Sequence, residues 1–412
     1  MKRSLALWSL VAALLICPMA YADDWPQWGG PNRDHKSAET GLLKTWPAGG
    51  PKLLWATTED LGEGYSSIAI ARGAIYTTGM LGAKGYVFAF DMNGKLKWKS
   101  EYGPDWQRNS PGSRTTPTID GDRAYVMSGL ARIVCFDVKD GVQKWAVDTA
   151  KAFGAQGISW GISESPLVCD NIVVCTPGGK DASLVALDKM TGKTVWRTNG
   201  LSDKSAYCSP IRIKDDKKDL IVTMTESHIV GVNVKDGLVL WKHHYQGRCR
   251  AHPNTPLYKD GQIYATSGYN DGGVALELSP DGKRVELLWK ENKLDTHHGG
   301  VVLVDGFIYG SNWLNNVNGR WACVDWKTGQ VKYETAWENK GSIIYADGML
   351  YCYEEKRGTV ALVKPTPKGF EVVSSFQITR GSGQHHWAHP AIADGRLYIR
   401  RGKTLMAFDI KE

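Results

Sequence analysis

Hydrophobic and polar positions alternate along this chain in short bursts broken by glycine and aspartate, and the bursts repeat. The clearest copy runs Ser165-Pro166-Leu167-Val168-Cys169-Asp170-Asn171, continues through an apolar stretch to Thr176, and closes with Ala186-Leu187-Asp188-Lys189-Met190-Thr191-Gly192-Lys193-Thr194-Val195-Trp196. Alternation with period two, bounded by turn formers, predicts strands, so each copy is two hairpins in series. The closing aromatic recurs at Trp55, Trp98, Trp145, Trp196, Trp241, Trp289, Tyr333 and Phe376, at gaps of 43 to 51 residues. That spacing is the length of a four-stranded propeller blade and not of a helical repeat.

Turn chemistry sets the register inside each copy. Asp120-Gly121, Asp260-Gly261, Asp305-Gly306, Asp347-Gly348 and Asp394-Gly395, with Arg72-Gly73 and Asp170-Asn171 as variants, are expected to join the first two strands of their blades. Two-residue hairpins favour positive φ, which Gly, Asn and Asp tolerate best. Seven copies are complete, whereas the last, from His389-Pro390 to Ala407-Phe408-Asp409, stops at Glu412 without an outer strand. Lys52-Leu53-Leu54-Trp55 is an outer strand with no blade of its own, so it is predicted to complete the eighth blade and remove an exposed sheet edge. The expected fold is therefore all-β, an eight-bladed propeller of antiparallel four-stranded blades, with Asp24 to Arg33 as a collar packed on the ring.

The first 22 residues read as a secretory signal: Lys2-Arg3, an apolar run from Leu5 to Ile16, and Ala20-Tyr21-Ala22 before Asp23. Cleavage is expected after Ala22, leaving residues 23–412 as one propeller domain in the periplasm or outside the cell. Cys17 follows Ile16 where a lipoprotein signal needs a small residue, which favours the Ala22 site. Seven cysteines remain, an odd count at strand positions, expected as small buried hydrophobes; only Cys169 and Cys175 flank a hairpin turn and are candidates for oxidation. The formal charge of +7, falling to +5 without Lys2 and Arg3, is scattered among acids, which argues against a nucleic-acid surface. No second apolar segment reaches the roughly 18 residues of a membrane span.

The segment Ala186-x-Asp188-x-x-Thr191-Gly192-x-x-x-Trp196 resembles the tryptophan-docking motif of pyrroloquinoline-quinone-type, or quinoprotein-like, propellers. It recurs with erosion at Cys135 to Trp145, Gly231 to Trp241 and Cys323 to Tyr333. In length, repeat number and its Trp25-Pro26-Gln27-Trp28-Gly29 start the chain is similar to the periplasmic and secreted BamB-like group. That resemblance implies either a non-enzymatic binding scaffold or a redox enzyme. Catalytic members of the quinoprotein group often carry adjacent cysteines, a calcium held by Glu and Asn or Asp, and an Asp base. Here no two cysteines are adjacent and no Cys-x-x-Cys-His haem site exists, so pyrroloquinoline quinone is a disfavoured cofactor and none is assigned.

Segments leading into the inner strands, and loops between second and third strands, are expected to share one face, called here the upper face. It gathers Arg114, Trp160, Glu164, Tyr207, Arg250, His252, Asn254, His297, His298, Lys340, His386 and His389, with Trp313 beside them, whereas the opposite face presents Asp-Gly turns. Three readings compete. Arg114, Arg250 and Lys340 suit a carboxylate or phosphate, with Trp160 or Trp313 as a stacking surface; alternatively Arg114 and Glu164 form a buried structural ion pair. The histidines can instead act as general acid and base with Glu164, the catalytic candidates being Glu164, His252, His298 and His386. No metal ligands are assigned, because vicinal histidines on an extended chain point opposite ways. Pro177-Gly178-Gly179-Lys180 lacks the full phosphate-loop pattern and joins two strands, and His228, His243 and His244 read as solvated or packing residues. The function expected is a binding or scaffold module for an envelope protein or a polar, anionic ligand. The alternative is an enzyme, either a quinone-dependent alcohol or sugar dehydrogenase or a carbohydrate-active propeller.

Overall fold

The computed structural model describes residues 24–58, 61–383 and 385–412; the signal segment expected at the N-terminus lies outside them. Eight antiparallel sheets follow one another around a ring. Blades 1 to 7 open with Ala69–Ala71, Thr118–Asp120, Leu167–Cys169, Ile211–Lys214, Leu257–Lys259, Val301–Val304 and Gly341–Ala346, and blade 8 with Ala391–Ala393. Blade 8 is completed by Lys52–Thr57, which pairs antiparallel with Thr404–Asp409 and places Trp55 opposite Ala407. The orphan strand thus closes the ring as its sequence requires.

The docking motif holds neighbouring blades together by one repeated contact. Trp196 stands opposite Ala186, and a Cβ at this position's counterpart Gly231 would lie 2.2 Å from Trp241, so only a small residue leaves room for the indole. The Asp188 carboxylate accepts from Met190 N, Thr191 N and the Thr191 hydroxyl, fixing the turn that ends in Gly192. Gly192 adopts φ +72 and lies against the Trp145 ring of the preceding blade. The indole nitrogens of Trp98, Trp145, Trp196 and Trp241 then donate to carbonyls of the next blade, Val138 at 3.0 Å, Lys189 at 3.0 Å, Val234 at 2.8 Å and Gly282 at 3.2 Å, whereas that of Trp289 is buried without a partner among the described residues.

Two local expectations change. Asp120 is paired with Arg123 in the ladder, so that turn is Gly121-Asp122, with the positive φ on Gly121 (+56). Cys169 and Cys175 are both free and buried. They face opposite sides of the blade 3 sheet, Cys169 packing with Trp196 and Val230 and Cys175 with Trp145 and Ile162, which separates their sulfurs.

The N-terminal segment is a plug in the axial hole and not a collar on the ring. Trp25 O accepts from Ile70 N of blade 1 and Pro26 O from Ile119 N of blade 2. Arg33, 2% exposed, donates to the carbonyls of Ser165, Pro166 and Pro210 at the starts of blades 3 and 4. Trp28 Nε1 donates to Thr255 Oγ1 before blade 5 at 3.0 Å. Lys36–Ser37 adds a parallel strand to the inner edge of blade 7. The inner strands converge on the axis with carbonyls that their own ladders leave unpaired, and a long cation with five donors satisfies several at once.

Candidate functional site

Above this plug the upper face opens into a funnel of about 250 Å³. Trp28 lines it from below, with His35 and His389 packed against its ring at 5.4 and 4.4 Å. The wall is supplied by the segments leading into successive blades: Tyr65, Ser110 and Arg114, then Trp160 and Ser163, then Tyr207 and Ser209, then Ala251 and Pro253. Tyr269, His297, His298, Trp387 and His389 complete it. The lining carries six Trp and Tyr rings, with one guanidinium, three imidazoles and three serines as further polar points, the usual make-up of a small-ligand site.

Arg114 does not pair with Glu164. Its guanidinium donates to the carbonyls of Gly112 (2.6 Å), Asn109 (3.0 Å) and Ser110 (2.7 Å) and lies 5.7 Å from the Tyr65 ring centroid and 5.8 Å from that of Trp106. These bonds fix the group while leaving its charge without a carboxylate in ion-pair contact among the described residues. Glu164 is fully buried below the funnel, accepting from Thr176 N. Burial pushes its pKa up to about 8, against the pull of the Thr176 N–H and the Arg33 charge.

The other predicted residues divide by position. Trp160, Tyr207, His297, His298 and His389 join Arg114 in the wall. Arg250 is half exposed and paired with Glu226 at 3.2 Å. His252 is buried with its ring 5.2 Å from Tyr245, and Asn254 ties blades together by donating to Thr296 O and accepting from Gly300 N. His386 Nδ1 lies 2.6 Å from the Tyr353 hydroxyl, with Gly358 close against its ring. Of the four catalytic candidates, the structure brings only His298 to the funnel. Trp313 stands behind the wall, 5.0 Å from Tyr269.

Lys340 reaches the site through a residue that sequence reasoning missed. Its ammonium, 2% exposed on its side chain, lies 2.7 Å from Glu355 Oε1, and Glu355 Oε2 is 3.3 Å from His298 Nε2. Glu355 sits in the Glu354-Glu355-Lys356-Arg357 turn of blade 7, whose charges resemble a solvated loop. Tyr65 and Tyr269 lie on the face their segments predict, whereas Trp28 and Trp387 carry no such signal: Trp28 precedes the first repeat, and Trp387 is hidden among histidines that draw attention first.

The vicinal histidines also depart from expectation. The chain around them is a bent loop, so the rings of His297 and His298 lie 4.6 Å apart on one side. Burial lowers the His298 and His389 pKa values to about 3 and holds His297 well below its ordinary value, so all three are neutral at neutral pH. Strain accompanies this wall: Tyr207 and Tyr269 adopt φ +73 and +71, a conformation bulky residues rarely take. Such strain costs about 1–3 kcal/mol per residue and gathers where ligands bind.

Fold and motif together define a quinoprotein-like eight-bladed propeller. Residues 83–335 match the family described as Outer membrane protein assembly factor BamB, and the chain belongs to that family. Its fold is similar to BamB from Moraxella catarrhalis (TM-score 0.63, 15% identity, covering 88% of this chain and 98% of that one). It is similar also to quinohemoprotein alcohol dehydrogenase from Comamonas testosteroni (TM-score 0.68, 13% identity, covering 94% and 81%). In sequence it is 28% identical over 200 residues to quinoprotein alcohol dehydrogenase PedH from Pseudomonas putida, covering 47% of this chain and 31% of that protein. The chain therefore spans about a third of the curated relative it matches.

The likeness in fold to quinoprotein dehydrogenases invites a test of fit to calcium. Calcium takes six to eight oxygen ligands. Among the described residues the metal-type donors that gather are two imidazoles and one carboxylate, His297, His298 and Glu355, with an ammonium already on that carboxylate. This donor set does not fit calcium. Among the described residues no helix is long and apolar enough to cross a membrane.

Proposed function

We propose that the protein is an exported binding module whose upper-face funnel takes a small acidic sugar, a uronate or a short chain of them. The observation that carries the reading is the lining itself: flat aromatic faces at Trp28, Trp160, Tyr207, Tyr269 and Trp387 around the tethered guanidinium of Arg114. Aromatic faces pack against the apolar faces of sugar rings. Arg114 supplies a charge-assisted partner for a carboxylate, and the wall hydroxyls of Ser110 and Ser209 supply hydrogen-bonding groups for sugar hydroxyls. The strained backbone at Tyr207 and Tyr269 supports the same reading, since such strain gathers where ligands bind.

A funnel of about 250 Å³ holds one or two sugar rings and is small for a folded protein partner. An envelope protein would have to insert a single acidic or aromatic side chain. The dehydrogenase alternative rests on the likeness to quinoprotein enzymes and is opposed by the donor set around His298. Calorimetric titration with galacturonate and glucuronate oligomers, neutral glucose oligomers and an acidic peptide tests the reading. Saturable heat and tryptophan fluorescence change with the uronates are expected. Binding only of the peptide would favour the protein-partner reading, and dye reduction on adding pyrroloquinoline quinone, calcium and an alcohol would favour the enzyme.

A further inference from the structure

We infer that His297, His298 and Glu355 form a binding site for a divalent transition metal of the zinc class in the wall of the funnel. One ligand atom from each of the three lies within 4.8 Å of the others, close enough for a single ion to engage all of them after a small adjustment. Two of the ring nitrogens are otherwise unexplained. His297 Nδ1 and His298 Nε2 are buried without a hydrogen-bond partner, although His298 Nε2 is only 3.3 Å from Glu355 Oε2. An unmet buried polar group costs about 1–3 kcal/mol, which an ion bound to both nitrogens would relieve.

The surrounding residues hold the three groups as outer partners hold metal ligands. His297 Nε2 lies 2.8 Å from the Tyr269 hydroxyl, which leaves Nδ1 as the nitrogen without a partner. The carbonyl of His298 lies 2.7 Å from His389 Nε2, anchoring the bent loop. Lys340 engages Glu355 Oε1, not Oε2, and is itself held by the carbonyls of Asn315 and Asn316 at 3.2 Å. The carboxylate is thereby oriented with Oε2 toward the imidazoles. Outer partners of this kind fix ligand orientation at metal sites. The lysine also compensates the carboxylate charge when the site is empty.

Two imidazoles with one carboxylate suit zinc, cobalt, nickel or copper, whereas calcium and magnesium prefer oxygen alone. Three protein ligands leave a coordination position open, and His297 and His298 both belong to the funnel wall. The inference does not rest on the uronate reading, because metal binding is read without any organic ligand.

The test is a titration of chelator-treated full-length mature protein with Co²⁺, followed by visible absorption and calorimetry. One equivalent is expected to bind with the intense visible bands of a low-coordinate cobalt site, to be displaced by Zn²⁺, and to be unaffected by excess Ca²⁺ or Mg²⁺. Glu355→Gln, nearly isosteric, and His298→Ala are each expected to weaken Co²⁺ at least about 10-fold. His243→Ala, on an outer strand, should leave it unchanged. Absence of tight Co²⁺ binding by the wild type, or equal affinity in folded Glu355→Gln protein, would overturn the assignment. Should His298→Ala fail to fold by circular dichroism, the Glu355→Gln comparison decides alone.

Discussion

The indole nitrogen of Trp55 donates to the carbonyl of Met92 at 3.0 Å, joining the strand that completes the last blade to the turn of the first. The same bond recurs between other consecutive blades, so the seam of the ring is built like its interior. Gly94, at φ +79, lies against the Trp55 ring, and a Cβ there would come within 2.6 Å of it.

Replacement of Trp55 by Ala is expected to destabilise the protein by about 2 kcal/mol. This is below the roughly 3–5 kcal/mol of a fully buried tryptophan, because Trp55 is only half buried. Deleting residues 24–57 removes the closing strand together with the Arg33 plug and should give aggregation or loss of the cooperative transition. Thermal melts of the two variants check both statements.

The pH dependence of stability should carry the signature of Glu164. Its folded pKa of about 8 lies above the ordinary value of 4.5, so between those values the folded state holds a proton that the unfolded state has lost. Its contribution is fully present below about pH 4.5 and declines as pH rises to about 8, by at most about 1.4 kcal/mol per unit. The buried histidines act oppositely: His252 and His386, lowered to about 4, favour the folded state above pH 6.5 and cease to do so as pH falls through 4. Urea unfolding of wild type and Glu164→Gln across pH 5 to 9 separates the two, since only the wild type should lose stability relative to the variant as pH rises.

Tyr269→Gly separates a ligand wall from a structural one. Glycine adopts φ +71 without penalty and recovers about 1 kcal/mol or more of strain, while the lost ring contacts with Trp313 and His297 cost a similar amount. Stability is expected to change by less than about 1 kcal/mol, with uronate affinity reduced at least about 10-fold. A large fall in melting temperature with unchanged binding would make the tyrosine a packing residue.

The ring was legible because blades are local. Asp-Gly turns, two-residue alternation and the Ala–Asp–Gly–Trp spacing each act within one repeat, and the count alone exposed the missing eighth outer strand. The site was legible as a face but not as a constellation. Arg114, Trp160, Tyr207, His297, His298 and His389 come together, whereas Glu164, His252 and His386 lie in the same chain segments and turn into the protein. Side-chain direction in an irregular loop depends on backbone bends that spacing does not encode, as the two adjacent histidines show. Trp28 and Arg33 were hidden for another reason: a segment before the first repeat carries no periodicity to say that it enters the axial hole.

Whether Arg114 makes the funnel selective for an anionic sugar is decided by the affinity of Arg114→Met for a uronate oligomer and for its neutral counterpart. Because both ligands are measured on one variant, any effect of losing the carbonyl bonds to Gly112, Asn109 and Ser110 is common to the two. A charge-assisted hydrogen bond contributes about 1.5–3 kcal/mol, so a uronate loss of roughly 10- to 150-fold is expected, with little change for the neutral sugar. Equal loss for both ligands, or undiminished uronate binding, would contradict that selectivity.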